Sequence, residues 1–524
     1  LLAVDGYRYG GRDFDRRDVV GALREAMPGL EQTVLLGYLD AGAELEGAVG
    51  WEAWLGDGTP ALEFTPLAFD HPLWILYSSG TTGLPKAIVH GQGGILLEHL
   101  KHLALHADAR PGDRMLWFTT TGWMMWNFLV GGLLAGAEIV RPATVSKVEL
   151  VPGGEQSLEI KQGDSRRTVR ARWIVDASGV SALIARKEGW WRSNTEHPTA
   201  AAWSRWSGVK DWDSRELAEK FPDWSRAVYG TRNTATNHIV GDGWWSWWIP
   251  LKGGDVSIGV VWDQRLVDFP KDGGSIGERV KTFLMKHPVG REMIADAEYS
   301  EEDQHWRRNL AYYSTTFAGD GFVLVGDAAA FMDPFYSPGM DWISFTSFSA
   351  ADLVTKARAG QVTDETLAKY NRDFSTSHRR WFAALYKDKY EYMGEYDLMG
   401  LAFRLDLGLY YWGVVEVPFN HGEEALTAPP FSPPSGKFFS WLMGTYNQRF
   451  ASMARRRRRM GLLGKENSNK RCLIPGFMLS RSNMFTLFPL LAKWAMLELK
   501  EGWRTWGEGQ PAAAAMTESV EVSG

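Results

Sequence analysis

The chain has 524 residues, 45% hydrophobic, 23% charged and 13% aromatic, a globular composition that excludes disordered, collagenous and coiled-coil classes. Lys plus Arg number 57 against 63 Asp plus Glu, and a net charge of -6 argues against a nucleic-acid partner, which needs clustered positive charge. The single cysteine, Cys472, allows no internal disulfide and no thiolate metal cage, so a reducing, cytoplasmic setting is expected.

The chain opens Leu1-Leu2-Ala3-Val4-Asp5, with neither an initiator Met nor a basic segment before an apolar run, and is read as a fragment without a signal peptide. Asn127–Val140 is too short to span a bilayer, and Met484–Leu499 is broken by Pro489 and Lys493, so no integral membrane association is expected. No internal repeat is found.

Residues 1–140 alternate short apolar strands with helical segments, as an α/β layer does. The strand Leu73–Tyr77 runs into Ser78-Ser79-Gly80-Thr81-Thr82-Gly83-Leu84-Pro85-Lys86. Small residues there let backbone N–H groups and hydroxyls close around phosphate oxygens, and Lys86 adds a compact positive charge. His99, His102 and His106 follow on one predicted helical face. They lack an acidic residue in the general-base position, so a solvated face is expected and no metal site.

This loop and its flanks, DGYRYGGRDFDRRDVV and GDRMLWFTTTGWMMWNFLVGGLL, resemble the acetoacetyl-CoA synthetases of the adenylate-forming superfamily. The resemblance implies that ATP, with Mg²⁺, activates a carboxylate before its transfer to CoA. It places Ser79, Gly80, Thr81, Thr82, Gly83 and Lys86 on the ATP phosphates and Trp123 near the acyl pocket. Neither the family's Tyr-Gly-x-Thr-Glu segment nor its Thr-Gly-Asp segment follows, so a ligase here is expected to be a fragment.

The pattern changes near residue 141 without a Ser/Gly/Pro linker. Long strand pairs follow: VELVPGGEQSLEI, then TVRARWIVDASG, then an aromatic ribbon Asn237–Leu251 that pairs across Lys252–Asp255 with Val256–Trp262. Beyond about residue 345 the chain reads as helical. Two strands end in an acid and small residues: Trp173-Ile174-Val175-Asp176-Ala177-Ser178-Gly179 and Phe322-Val323-Leu324-Val325-Gly326-Asp327-Ala328. An Asp at the carboxyl end of a parallel strand can accept hydrogen bonds from sugar or ribityl hydroxyls. A third segment, Asp333-Pro334-Phe335-Tyr336-Ser337-Pro338-Gly339, opens a helix at Met340 whose first amides can receive an electron-rich group.

Together these segments resemble the glutathione-reductase-like flavoprotein monooxygenases, and Trp245-Ser246-Trp247-Trp248-Ile249-Pro250 reproduces the W-x-W-x-I-P signature of the flavin-dependent halogenases. The resemblance implies FAD, reduced by NAD(P)H or a partner flavin reductase, and an aromatic or electron-rich small-molecule substrate. Asp176, Gly179, Gly326, Asp327, Asp333, Pro334 and Gly339 would hold FAD; Trp245, Trp247, Ile249, Pro250, Tyr336 and Ser337 would flank the active site. Tyr336 stands where tryptophan halogenases have Glu, and Pro338 has no N–H for chloride. The family's opening GxGxxG unit and halogen-carrying Lys are not found. The strings at Gly56 and Gly507 follow no apolar strand, so no catalytic residue is assigned and weak FAD binding is expected.

The expected architecture is mixed α/β: an adenylate-forming fragment over 1–141, an incomplete FAD domain with an antiparallel substrate sheet over 142–420, and a helical C-terminal region over 421–524. The two parts read as a chimera of two truncated proteins, with exposed sheet edges. Arg455–Arg459 reads as a solvated basic helix face, and Met484–Leu499 as a segment packing on the flavin domain.

Overall fold

The computed structural model describes all residues except 10–11, 57, 59–64, 79–85, 108, 111, 113, 116–124, 137, 140–143, 163–164, 224–230, 252–253, 273, 468–486 and 507–524. Ser79, Gly80, Thr81, Thr82, Gly83, Trp123 and the Gly507 string therefore lie outside the described residues, and Lys86 is described in its backbone alone. The chain divides into two compact units: Leu1–Leu73 with Gly91–Leu96, and Trp74–His90 with Leu97–Gly524.

In the first unit, strands Leu2–Val4, Val34–Leu36 and Val49–Gly50 run parallel, with Val34–Leu36 central. Helix Arg17–Ala26 lies between the first two in sequence, as a parallel connection requires. Buried Asp5 accepts the amides of Tyr38, Leu39 and Asp40, and so fixes the loop after Val34–Leu36.

The second unit holds the segments read as a flavoprotein. Strands Thr144–Glu149, Gln156–Gln162 and Ser165–Ala171 form an antiparallel meander, the first turn carrying Gly153 at φ +73°. The run TVRARWIVDASG breaks at Arg172-Trp173, after which β1 (Ile174–Asp176) begins a different sheet.

Five further strands form one antiparallel sheet: β2 (Thr199–Ser207), β3 (Asn237–Gly241), β4 (Trp244–Pro250), β5 (Val256–Asp263) and β6 (Glu298–Arg308), in the order β3-β4-β5-β2-β6. β4 pairs with β5 from Trp244↔Trp262 to Pro250↔Val256, as the sequence predicts. The expected single ribbon Asn237–Leu251 is instead two strands. It folds back at Asp242-Gly243, where Gly243 has φ +77° and a Cβ would lie 2.7 Å from Leu266. Side chains alternate across this sheet. Ala200, Ala202, Trp206, Trp248, Ile258 and Val260 pack on one face with helices Ile276–Leu284 and Pro288–Ile294, while Ala201, Trp245 and Val261 join the core on the other.

β7 (Phe322–Leu324) then pairs parallel with β1, and Ala318–Gly319 flanks β7 on its far side. β1 is the edge of this sheet among the described residues, and Val175 is 51% exposed. Helices α1 (Gly339–Arg358), α2 (Asp364–Leu385), α3 (Tyr396–Tyr410), α4 (Pro434–Arg459) and α5 (Leu487–Lys500) complete the unit. They share a core that includes Trp342, Phe374, Trp381, Leu405, Tyr446, Phe450 and Leu487. On α5, Leu487 and Leu490 are buried and Phe488, Met496 and Leu499 are exposed. No helix among the described residues is long and apolar enough to cross a membrane.

The basic run corrects its sequence reading. Arg457, on the last turn of α4, is buried and forks onto Glu395 (2.7 Å), Asp397 (2.7 Å) and Glu501 (2.5 Å). Arg458 pairs with Asp242 and Glu391. Carboxylates from other segments converge on a helix C-terminus that already favours cations, so the run ties elements together rather than facing solvent.

Candidate functional site

β7 ends at Leu324, and Gly326 follows at φ +56°. Its N–H donates to Thr346 Oγ1 (2.9 Å) and its carbonyl accepts from Trp342 Nε1 (3.0 Å), which anchors the turn to α1. Asp327 is half-buried. Tyr312 Oη holds its main-chain carbonyl (2.8 Å), whereas its carboxylate has no hydrogen-bond donor among the described residues. Burial pushes its pKa up and Arg307, on β6, pulls it down. A half-buried carboxylate without a donor costs free energy unless a ligand supplies one.

At the end of β1, Asp176 is turned to a different task. Oδ1 accepts the Ser178 amide (2.9 Å) and Oδ2 the Ile184 amide (2.8 Å), so the carboxylate braces its own loop. Gly179, at φ +62°, starts the short turn Gly179–Ser181, which touches the turn Gly326–Ala328.

The third segment is built from the inside. Asp333, expected at a cofactor edge, has a fully buried carboxylate. It meets His197 Nε2 (2.6 Å), the Phe335 amide (2.8 Å) and Tyr390 Oη (3.1 Å). Trp245 Nε1 donates to the same Tyr390 oxygen (2.8 Å), so a buried chain joins the sheet to the turn. Tyr336 and Ser337 follow Pro334 and Phe335 with φ of +68° and +53°, each a conformation costing about 1–3 kcal/mol for an L-residue.

That strained turn is held by Tyr336 Oη, which donates to Asp406 Oδ2 (2.8 Å). Tyr446 Oη donates to the other Asp406 oxygen (2.6 Å). Lys389, fully buried, donates to Asp406 (2.5 Å), Tyr392 Oη (2.7 Å) and Asn447 Oδ1 (2.9 Å). Burial lowers the Lys389 pKa and Asp406 opposes this. All three ammonium hydrogens are in use, which suits a structural pair rather than a reacting amine. Sequence reasoning missed His197, Lys389, Tyr390 and Asp406, because Lys387–Tyr392 carries the charged composition of a surface turn. Pro338 precedes α1, which begins at Gly339.

On β4, Trp245, Trp247 and Ile249 share one face and Pro250 lies on the other. Trp245 packs on Phe335 (5.1 Å), and Trp247 Nε1 donates to Ser257 Oγ (3.2 Å).

The predicted histidine face divides at Lys101, where helix Gln92–Lys101 passes into a wider i→i+5 turn over His102–His106. His99 is buried against Trp74 and Phe128, and burial lowers its pKa. Among the described residues no group of three His, Cys, Asp or Glu could hold a metal.

The parallel pair β1–β7, the glycine-rich turns at its carboxyl end, the long helix α1 and the five-stranded antiparallel sheet give this unit a halogenase-type flavoprotein fold. Halogenase PltM, solved in complex with phloroglucinol and FAD, has the same fold, with a TM-score of 0.52 over 94% of this chain and 96% of that one at 14% identity. Two family models match. Residues 135–390 match "Tryptophan halogenase" and residues 9–151 match "AMP-binding enzyme". Acetoacetyl-CoA synthetase of Gallus gallus is 38% identical over 149 residues, 27% of this chain and 22% of that protein. The enzyme of Rhizobium meliloti (strain 1021) is 43% identical over 145 residues, 26% of this chain and again 22% of that protein. The chain thus spans about a fifth of the length of these relatives.

Proposed function

We propose that the flavoprotein part, 142–420 with its helical region 421–524, is an FAD-dependent, halogenase-like monooxygenase or oxidoreductase acting on an aromatic or other electron-rich small molecule. One observation carries this reading: Asp327, half-buried at the carboxyl end of a parallel strand, has a carboxylate without a donor beside a glycine turn. Those residues fit FAD, whose ribityl hydroxyls are donors. Gly326 and Gly179 leave room for close approach, and the first amides of α1 suit an electron-rich ring edge. When bound, FAD supplies the electrons that turn oxygen into an oxidant, with reduction by NAD(P)H or a partner reductase in a cytoplasmic setting. The chain's own residues position the parts. The Trp245–Tyr390–Asp333–His197 chain and the Lys389–Asp406–Tyr336 network hold the turn 333–339 in its strained form, and Trp245 and Trp247 exclude water.

Titration of the full chain with FAD tests this. A shifted flavin absorption band is expected, and Asp327→Ala weakens binding by about 1.5–3 kcal/mol, the worth of a charge-assisted hydrogen bond. An unperturbed spectrum at saturating FAD overturns it.

A second reading, an acetoacetate–CoA ligase fragment, is supported by the identity of the first 150 residues to the acetoacetyl-CoA synthetases. Ser79 to Lys86 would hold the ATP phosphates with Mg²⁺, and Trp123 the acyl group. It requires acetoacetate-dependent pyrophosphate exchange, and no exchange removes it. Failure of both assays means a chimera with neither site complete.

A further inference from the structure

Five residues line up across the antiparallel sheet, one from each strand: His238, Trp247, Gly259, Trp203 and His305. Directly opposed residues share a face, so these form a single row. The centre of the row carries no side chain, and the Trp247 indole fills that space: a Cβ on Gly259 would lie 2.1 Å from Trp247 Cζ2. Trp203 is 6.0 Å from Trp247 and stacks on His305 at 4.9 Å and 23°. The adjacent row, Trp245, Val261 and Ala201, is buried in the core, whereas Trp247, Trp203 and His305 are each partly exposed.

His305 has the geometry of a proton acceptor. Its Nε2 lies 2.7 Å from Asp303 Oδ1, and since a carboxylate only accepts, Nε2 carries the hydrogen. Nδ1 then holds a lone pair, and it has no partner among the described residues. The ring is 39% exposed. Asp303, His305 and Arg307 lie on the same face of β6, and Arg307 is the cation acting on Asp327. Arg307 thus links this face of the sheet electrostatically to the carboxylate assigned to the cofactor.

We propose that this row is the platform for a phenol, and that His305, oriented by Asp303, accepts the hydroxyl proton. The aromatic ring lies against Trp203 and Trp247. The phenol O–H bond breaks, its proton bonds to Nδ1, and the oxygen keeps the electron pair as phenolate. Asp303 balances the imidazolium charge. The phenolate ring is richer in electrons at its ortho and para carbons, the form an electrophile attacks. The proposal rests on the flavin reading for what then attacks the ring, but binding and proton transfer require no flavin.

The test uses the full chain without FAD, with para-nitrophenol as probe at a pH well below the probe's own pKa, where the free dye is largely colourless. The yellow nitrophenolate band rises on binding to the native chain, and calorimetry shows para-nitroanisole, which has no proton to give, binding about tenfold more weakly. His305→Gln keeps calorimetric binding and loses the band; Gly259→Ala displaces Trp247 and weakens binding itself. Equal binding of phenol and anisole, or no band with the native chain, overturns the proposal without reference to any variant. A band that persists in His305→Gln overturns the assignment of the base. Loss of the phenol signal with an intact FAD shift removes the substrate class alone. A phenol signal without an FAD shift removes the flavin reading alone.

Discussion

His378, on α2, is buried between the rings of Tyr313 (5.3 Å) and Trp342 (6.2 Å), and burial pushes its pKa down to about 4 from the usual 6.5. The unfolded chain therefore binds a proton more tightly, and stability rises with pH across that window. The contribution is fully present above pH 6.5 and is lost as the pH falls towards about 4, to the extent of about 3 kcal/mol. Urea unfolding at pH 7 and pH 5 reads this directly, and His378→Phe flattens the difference. The same scale shows what a sequence discloses of a site. Gly326 and Asp327 could be singled out as candidates because strand, glycine and acid are consecutive. The contacts of Asp333 could not be read in this way, because two of its partners, His197 and Tyr390, stand 136 and 57 residues away, and only the fold brings those groups to it.

At the scale of elements, regular patterns were readable and tertiary ones were not. The pairing of β4 with β5 follows from the alternation of Trp245 and Trp247 against Ser246 and Trp248 around a glycine turn. The break at Asp242-Gly243 went unseen because strong β-formers flank it on both sides. The arginine run was taken for solvent-facing because its carboxylates come from residues 391–397, 242 and 501. Removing one partner from such a buried cluster leaves uncompensated charge. Arg457→Met is accordingly expected to cost about 3–5 kcal/mol, read as a lower urea midpoint with an unchanged slope. Arg457→Lys recovers only part of this, since an ammonium cannot fork across Glu395, Asp397 and Glu501 together.

At the scale of the molecule, the region 421–524 supplies part of a shared core rather than an appendage. Phe431, Met443, Tyr446, Phe450, Leu487 and Leu490 belong to the same buried cluster as Trp245, Phe322 and Trp342. Asn447 and Tyr446, on α4, complete the hydrogen bonds of Lys389 and Asp406. A chain ended after residue 420 loses six large apolar side chains, each contributing about 1.5–3 kcal/mol, against a typical net stability of about 5–15 kcal/mol. It also leaves the Lys389–Asp406 pair with missing partners beneath the turn at Tyr336. Such a chain is expected to keep helical far-ultraviolet dichroism while losing its near-ultraviolet signal and binding ANS, as a compact state without fixed packing does. Because the turn 333–339 is held from α3 and α4, the FAD-induced spectral shift must disappear together with the near-ultraviolet signal. A truncated chain that unfolds cooperatively and still shifts the flavin band would mean that the strained turn is held by Asp333, His197 and Tyr390 alone.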